Sequence, residues 1–179
     1  MNPAVSGTRR GLAAVAALWL VVLGGVVARN EYTLRTGREV VLPTVPVDPR
    51  DLFRGDYVVL AYPMSTVDLY GLGHDASEFA VGQTVYAQLR VVGGRAALQD
   101  VVATRPFDES LFLRGQITAI DGTTLRIAYG IESYFVPEGK GRELEQARGH
   151  SLEVVAAVDA AGRAVIKKVR MDGKAVPGQ

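Results

Sequence analysis

The chain changes pattern at Ala28. Before it, Gly11 to Ala28 reads GLAAVAALWLVVLGGVVA, without a charged or strongly polar side chain. At about 1.5 Å rise per residue this run forms a helix roughly 27 Å long, close to the ~30 Å hydrocarbon core of a bilayer. A helix satisfies its own backbone groups inside lipid, so the pattern predicts a transmembrane helix over 11–28. Beyond it, apolar residues recur at every second position in short runs separated by turn residues, which predicts strands.

Val40-Val41-Leu42 is a first short strand. Pro43, Pro46 and Pro49 then space an extended lead-in, because proline fixes φ and disfavours helix before it. Asp48-Pro49-Arg50-Asp51 fits a type I turn. Gly55 to Tyr62 (GDYVVLAY) follows; from Tyr57 to Tyr62 both faces are largely apolar, which predicts a core strand buried on both sides that stops at Pro63. Met64 to Ala80 is expected to be irregular. Thr84 to Val92 and Arg95 to Ala103 flank Gly93-Gly94, the clearest hairpin signal, with Val85, Ala87, Leu89 and Val91 along one face. A second hairpin turns at Asp121-Gly122, between Gln116 to Ile120 and Thr123 to Ala128. Tyr134-Phe135-Val136 is another short strand, and Arg142 to Arg148 a helix of about two turns closed by Gly149. The last hairpin pairs Leu152 to Val158 with Ala164 to Met171 around Ala160-Ala161-Gly162. The expected fold is mainly β: an antiparallel barrel or sandwich with one short helix, preceded by a single N-terminal transmembrane helix.

The implied organisation is a cytoplasmic tail at 1–10, the transmembrane helix at 11–28, a linker and lead-in at 29–47, an extracytoplasmic β domain at 48–172 and a C-terminal tail at 173–179. Such a signal-anchor leaves the large C-terminal part outside the cytoplasm. Val26-Val27-Ala28 also resembles a small-x-small cleavage site, so secretion after cleavage following Ala28 is the alternative. The apolar run exceeds the ~7–15 residues of a signal-peptide core, which favours the anchor. A weak internal repeat runs through the domain. Leu60-Ala61-Tyr62 recurs as Ile127-Ala128-Tyr129, Gly82 as Gly149, and Gly94 to Leu98 as Gly162 to Ile166, at nearly equal offsets.

Charge and composition narrow the chemistry. A formal net charge of +1 provides no overall field for nucleic acid, and none is expected as a partner. The chain has no cysteine, which removes disulfides, zinc–thiolate sites and thiol catalysis together.

Asp48 to Tyr62 (DPRDLFRGDYVVLAY) resembles the signature of the bacterial GDYXXLXY protein family, with Gly55, Asp56, Tyr57, Leu60 and Tyr62 on its pattern. Tyr134 to Gly141 (YFVPEGKG) is similar to that family's second recurrent block. The resemblance implies a single-anchor membrane protein without an assigned activity, often encoded beside polytopic membrane proteins, and it brings no catalytic residues. The expected partners are an integral membrane protein and, through residues 11–28, the lipid bilayer.

Asp48, Asp51 and Asp56 place three carboxylates close together, but Arg50 and Arg54 are interleaved and no calcium-loop spacing is present. Local ion pairs and turn capping explain them, so no metal is expected. The motif residues Asp48, Arg50, Arg54, Gly55, Asp56, Tyr57, Leu60 and Tyr62 read as structural. The candidate binding set is Tyr134, Glu138, Gly139, Lys140, Gly141 and Arg142: glycines on both sides of a lysine expose backbone amides beside a positive charge, suited to a carboxylate or phosphate. The rest of a P-loop is missing, so no nucleotide cofactor is expected. His74 and His150 stand singly in glycine-flanked loops and read as solvated. Ser65 beside a membrane-proximal strand suggests a signal-peptidase-like hydrolase, which needs a lysine of lowered pKa. Lys140, Lys167, Lys168 and Lys174 all lie far along the chain. The favoured expectation is a non-enzymatic accessory or binding subunit of a membrane protein complex, with no catalytic residues. The alternatives are the serine hydrolase and a small-anion binding module.

Overall fold

The computed structural model of the chain describes residues 3–45, 57–107, 110–135, 152–171 and 173–176. Helix α1 (Pro3–Thr36) runs through the apolar segment and continues beyond Ala28. Its Leu12–Thr36 stretch is long and apolar enough to cross a membrane. Leu12, Leu18, Trp19, Leu20 and Leu23 are all more than half exposed. A helix this apolar all round needs a non-aqueous surrounding.

Residues 29–47, expected as linker and lead-in, begin as more helix. Arg35 pairs with Glu31 one turn back at 2.7 Å, and the hydroxyl of Thr33 donates to the Arg29 carbonyl at 3.1 Å. The ion pair supports helix where the sequence is polar, and the back-bonded hydroxyl is satisfied inside the helix's own turn. The Gly37 N–H closes the helix on the Thr33 carbonyl at 2.8 Å. Strand β1 (Arg38–Pro43) starts at once, and α1 packs its last turn on the sheet, burying Thr33. The junction is a packed joint, not a tether.

The remaining strands are β2 (Tyr57–Val59), β3 (Thr66–Asp68), β4 (Thr84–Val92), β5 (Arg95–Val102), β6 (Leu111–Asp121), β7 (Thr124–Ala128), β8 (Ser133–Phe135), β9 (Leu152–Val158), β10 (Ala164–Met171) and β11 (Lys174–Val176). They form antiparallel sheets of order β3-β7-β6-β4-β5 and β1-β9-β10-β11, with β2 and β8 as a two-stranded ribbon. Among the described residues one isolated antiparallel bridge, from Val45 just past β1 to Ala61 just past β2, links β1 to the ribbon. The mainly β expectation holds. Strand β1 and strand β11 carry the sheets beyond the expected 48–172 limits on both sides.

The pairing pattern has an internal symmetry. Exchanging β1 with β6, β2 with β7, β3 with β8, β4 with β9 and β5 with β10 turns β3-β7-β6-β4-β5 into β8-β2-β1-β9-β10, which is the second layer read through the bridge. The repeat seen in the sequence has its counterpart here. The halves interdigitate: β1 of the first pairs with β9 of the second, and β4 of the first with β6 of the second.

All three hairpins form. Gly93 and Gly94 both take positive φ, 59° and 81°, as a two-residue turn matched to strand twist requires. Val85, Ala87 and Leu89 are buried as expected, whereas Val91 is 56% exposed because the hairpin tip overhangs the core. The second turn is one residue later than expected. Asp121 pairs with Thr124, so Gly122 (φ 58°) and Thr123 are its central residues. Met64 to Ala80 is more ordered than expected. It holds a 3-10 turn at Pro63–Ser65, β3, the short helix α2 (Leu69–Leu72) and a second 3-10 turn at Ala76–Glu78. Carboxylates supply the caps: Asp68 accepts from the Tyr70 N–H, and Asp75 and Glu78 form a reciprocal capping box. The helix expected at 142–148 lies outside the described residues.

The core lies between the layers, with Leu42, Leu113, Ile117, Leu125, Val101 and Val154 at 1% exposure or less. Burial of each such side chain stabilises the fold by about 1.5–3 kcal/mol relative to exposure.

Candidate functional site

The described ends of the two family-like blocks meet. Strand β2 pairs antiparallel with β8, setting Tyr57 opposite Phe135 and Val58 opposite Tyr134. The Leu60 N–H continues the contact, donating to the Glu132 carbonyl at 2.8 Å. Tyr134 is partly buried, which pushes its hydroxyl pKa upward. Asp48, Arg50, Arg54, Gly55 and Asp56, the side chain of Tyr57, and Glu138, Gly139, Lys140, Gly141 and Arg142 lie outside the described residues.

The motif strand is not the central, doubly buried strand expected. Leu60 and Tyr62 are 2% exposed, but Val59 and Ala61 on the opposite face are half-buried. The reason is topological: a ribbon at the margin of two layers has a core on one side only.

Tyr62 ends this strand inside the core, where its hydroxyl donates to the Ile131 carbonyl at 2.7 Å. Tyr129, its counterpart in the repeat, donates to the Met64 carbonyl at 2.8 Å. Each tyrosine thus reaches the residue two positions beyond the other, a reciprocal clamp between the halves. Burial, reinforced by the charge of Glu132, pushes both hydroxyl pKa values upward, so both remain protonated donors. Glu132 itself accepts the backbone N–H of Tyr129 and, at 2.9 Å, that of Gly130. At this end the motif is a folding device.

Ser65 stands in the 3-10 turn after Tyr62. Its hydroxyl oxygen is buried without a hydrogen-bond partner among the described residues. Lys167 is paired with Glu39, and Lys168 and Lys174 stand on β10 and β11 of the other layer. None of these three lysines meets Ser65 as a base.

His74, expected to be solvated, instead bridges two carboxylates. Its Nδ1 lies 3.1 Å from Glu78 and its Nε2 2.9 Å from Asp100 on β5. The ring stands edge-on to Phe79 at 5.8 Å. Two acceptors on one imidazole call for two N–H donors, the charged form. The bond to Asp100 raises the His74 pKa, burial opposes it, and the bond to Glu78 adds to the rise. The Asp75-x-x-Glu78 spacing is the legible signal for this turn; the approach of Asp100 has none.

A raised folded-state pKa means the pair's stabilisation is fully present below 6.5, the ordinary histidine value, and is lost as pH rises through the folded-state pKa. His74→Gln should therefore lower the urea midpoint at about pH 5.5 and close most of the gap to wild type by about pH 9. A gap equal at both pH values would show that the histidine contributes as a neutral ring.

The geometry defines a class: a two-layer antiparallel β domain built from interdigitated halves and mounted on a long apolar helix. The chain belongs to the GDYXXLXY protein family, whose match covers residues 19–169. No curated protein and no solved structure matches it.

Proposed function

We propose that the chain is a membrane-tethered, non-enzymatic accessory or binding subunit of a membrane protein complex. In this reading α1 is a single-pass anchor in the bacterial inner membrane, and the β domain is extracytoplasmic. The observation that carries it is the joint at Gly37: the apolar helix passes into the sheet without a flexible linker, which suits a domain held in fixed relation to a neighbour in the bilayer. The polar clusters of the described residues act as caps and clamps, which supports a binding role over catalysis. The same joint favours retention over cleavage after Ala28, because cleavage would leave Arg29–Thr36 as a stub on β9 and β10.

Cross-linking in intact membranes followed by purification should recover one integral membrane protein reproducibly, with the subunit at full length. Consistent recovery of the chain alone would count against the reading.

The serine hydrolase alternative is separable by one substitution. Removing a buried hydroxyl without a partner relieves its desolvation, so Ser65→Ala should be neutral or stabilise by about 1 kcal/mol and leave any phenotype intact. Loss of the phenotype with the fold preserved would favour the hydrolase.

A further inference from the structure

Where α1 meets the β domain, a recess of about 690 Å³ is lined by Tyr32, Arg38, Arg105, Phe107, Phe112 and Asp159, among others. This lies within the ~300–1,000 Å³ typical of ligand sites. Among the described residues its lining carries two arginines against one aspartate. Arg38 and Arg105 are both exposed, and neither has a carboxylate partner among the described residues. Arg105 is oriented by donating to the Ala160 carbonyl at 2.6 Å. Asp159 is paired with neither: its counter-ion is the Arg163 guanidinium at 3.1 Å, and it also accepts the N–H groups of Ala161 (2.8 Å) and Arg163 (2.9 Å).

Two aromatics project from the same place. Phe107 is 101% exposed and Tyr32 67%. In water such a phenylalanine gains nothing, whereas aromatic rings are favoured at the membrane–water interface. Position supports that setting. Tyr32 lies one helical turn past Ala28, about 6 Å along the axis, and the polar layer flanking the hydrocarbon is about 5–8 Å deep.

We propose that this recess seats the phosphate of a phospholipid headgroup, held by Arg38 and Arg105, with Phe107 and Tyr32 resting in the interfacial layer. A guanidinium matches phosphate geometry with paired donors, and two lining one recess suit a phosphate better than a neutral ligand. With the joint at Gly37 packed, this contact fixes the rotation of the β domain above the bilayer. The proposal rests on the anchoring in the preceding reading, not on the accessory role.

The test is depth-dependent fluorescence quenching of the full chain in phosphatidylethanolamine–phosphatidylglycerol nanodiscs carrying brominated lipid. The wild-type chain has one tryptophan, Trp19, in the middle of the apolar run, and deep bromines should quench it. In the Trp19→Phe/Phe107→Trp variant, shallow bromines should lower emission about twofold, and adding Arg38→Gln and Arg105→Gln should remove about half of that effect. An unquenched indole at position 107 beside a quenched Trp19 would overturn the headgroup site and leave the anchor standing. An unquenched Trp19 would overturn both. Quenching at position 107 that is indifferent to the two arginines would overturn phosphate recognition.

Discussion

Tyr62→Phe is expected to lower the unfolding free energy by about 1–3 kcal/mol, and Tyr129→Phe by a similar amount. Each hydroxyl is the buried partner of a backbone carbonyl, Ile131 for Tyr62 and Met64 for Tyr129. Removing it strands that carbonyl away from water, and the desolvation already incurred is no longer offset. Alanine at either position adds the lost ring and a cavity, for about 3–5 kcal/mol. Because both bonds hold the same two corners together, the double phenylalanine variant should depart from additivity by about 0.5 kcal/mol or more. Urea unfolding of the purified chain in detergent reads all of these. Tyr70→Phe is the control, since Tyr70 is 83% exposed and should leave the midpoint unchanged. Single-variant losses no larger than that of the control would mean that the clamp contributes nothing net.

Gly37→Ala should damage the joint between α1 and β1. A Cβ there would lie 2.5 Å from the Thr33 carbonyl oxygen and 3.0 Å and 3.1 Å from the backbone N and O of Val158. All three atoms are backbone, so no side chain can rotate away. Helix and strand must separate, at about 1–3 kcal/mol if the overpacking is relieved by backbone shifts. The separation should appear as faster hydrogen exchange in residues 33–40 and new protease cleavage near position 37. Gly24→Ala and Gly25→Ala provide the comparison, as nothing beyond the helix's own backbone lies within 4 Å of either added atom. If Gly37→Ala melts like them and stays protected, the joint is looser than its packing indicates, and the proposed fixed mounting of the domain fails with it.

Local features of the fold are legible in the order of residues alone. The apolar run announces α1, Gly93-Gly94 announces the β4–β5 hairpin, and alternation in Val85, Ala87 and Leu89 announces which face is buried. The centre of the β6–β7 turn marks where such legibility stops: Asp121-Gly122 and Gly122-Thr123 are both acceptable turns, and strand register decides between them. The His74 cluster is half legible. Glu78 is four residues away and can be read from spacing, whereas Asp100 arrives from another strand. The candidate anion loop from Glu138 to Arg142 lies outside the described residues, and among its proposed set only Tyr134 is placed, against β2.

By itself, then, the sequence determined the elements whose causes act within a few residues: an apolar helix, glycine-closed hairpins, and the motif that marks the family. Tertiary structure alone decided which half pairs with which. β1 and β6 occupy equivalent places in two similar halves, so local propensity cannot choose β9 for one and β4 for the other. That choice is made by closing one shared core, in which Tyr62 and Tyr129 find each other's corners and α1 becomes a mounted post instead of a tether. The motif's conspicuous tyrosine proves to be a clamp, because only the folded chain supplies the carbonyl it was placed to meet.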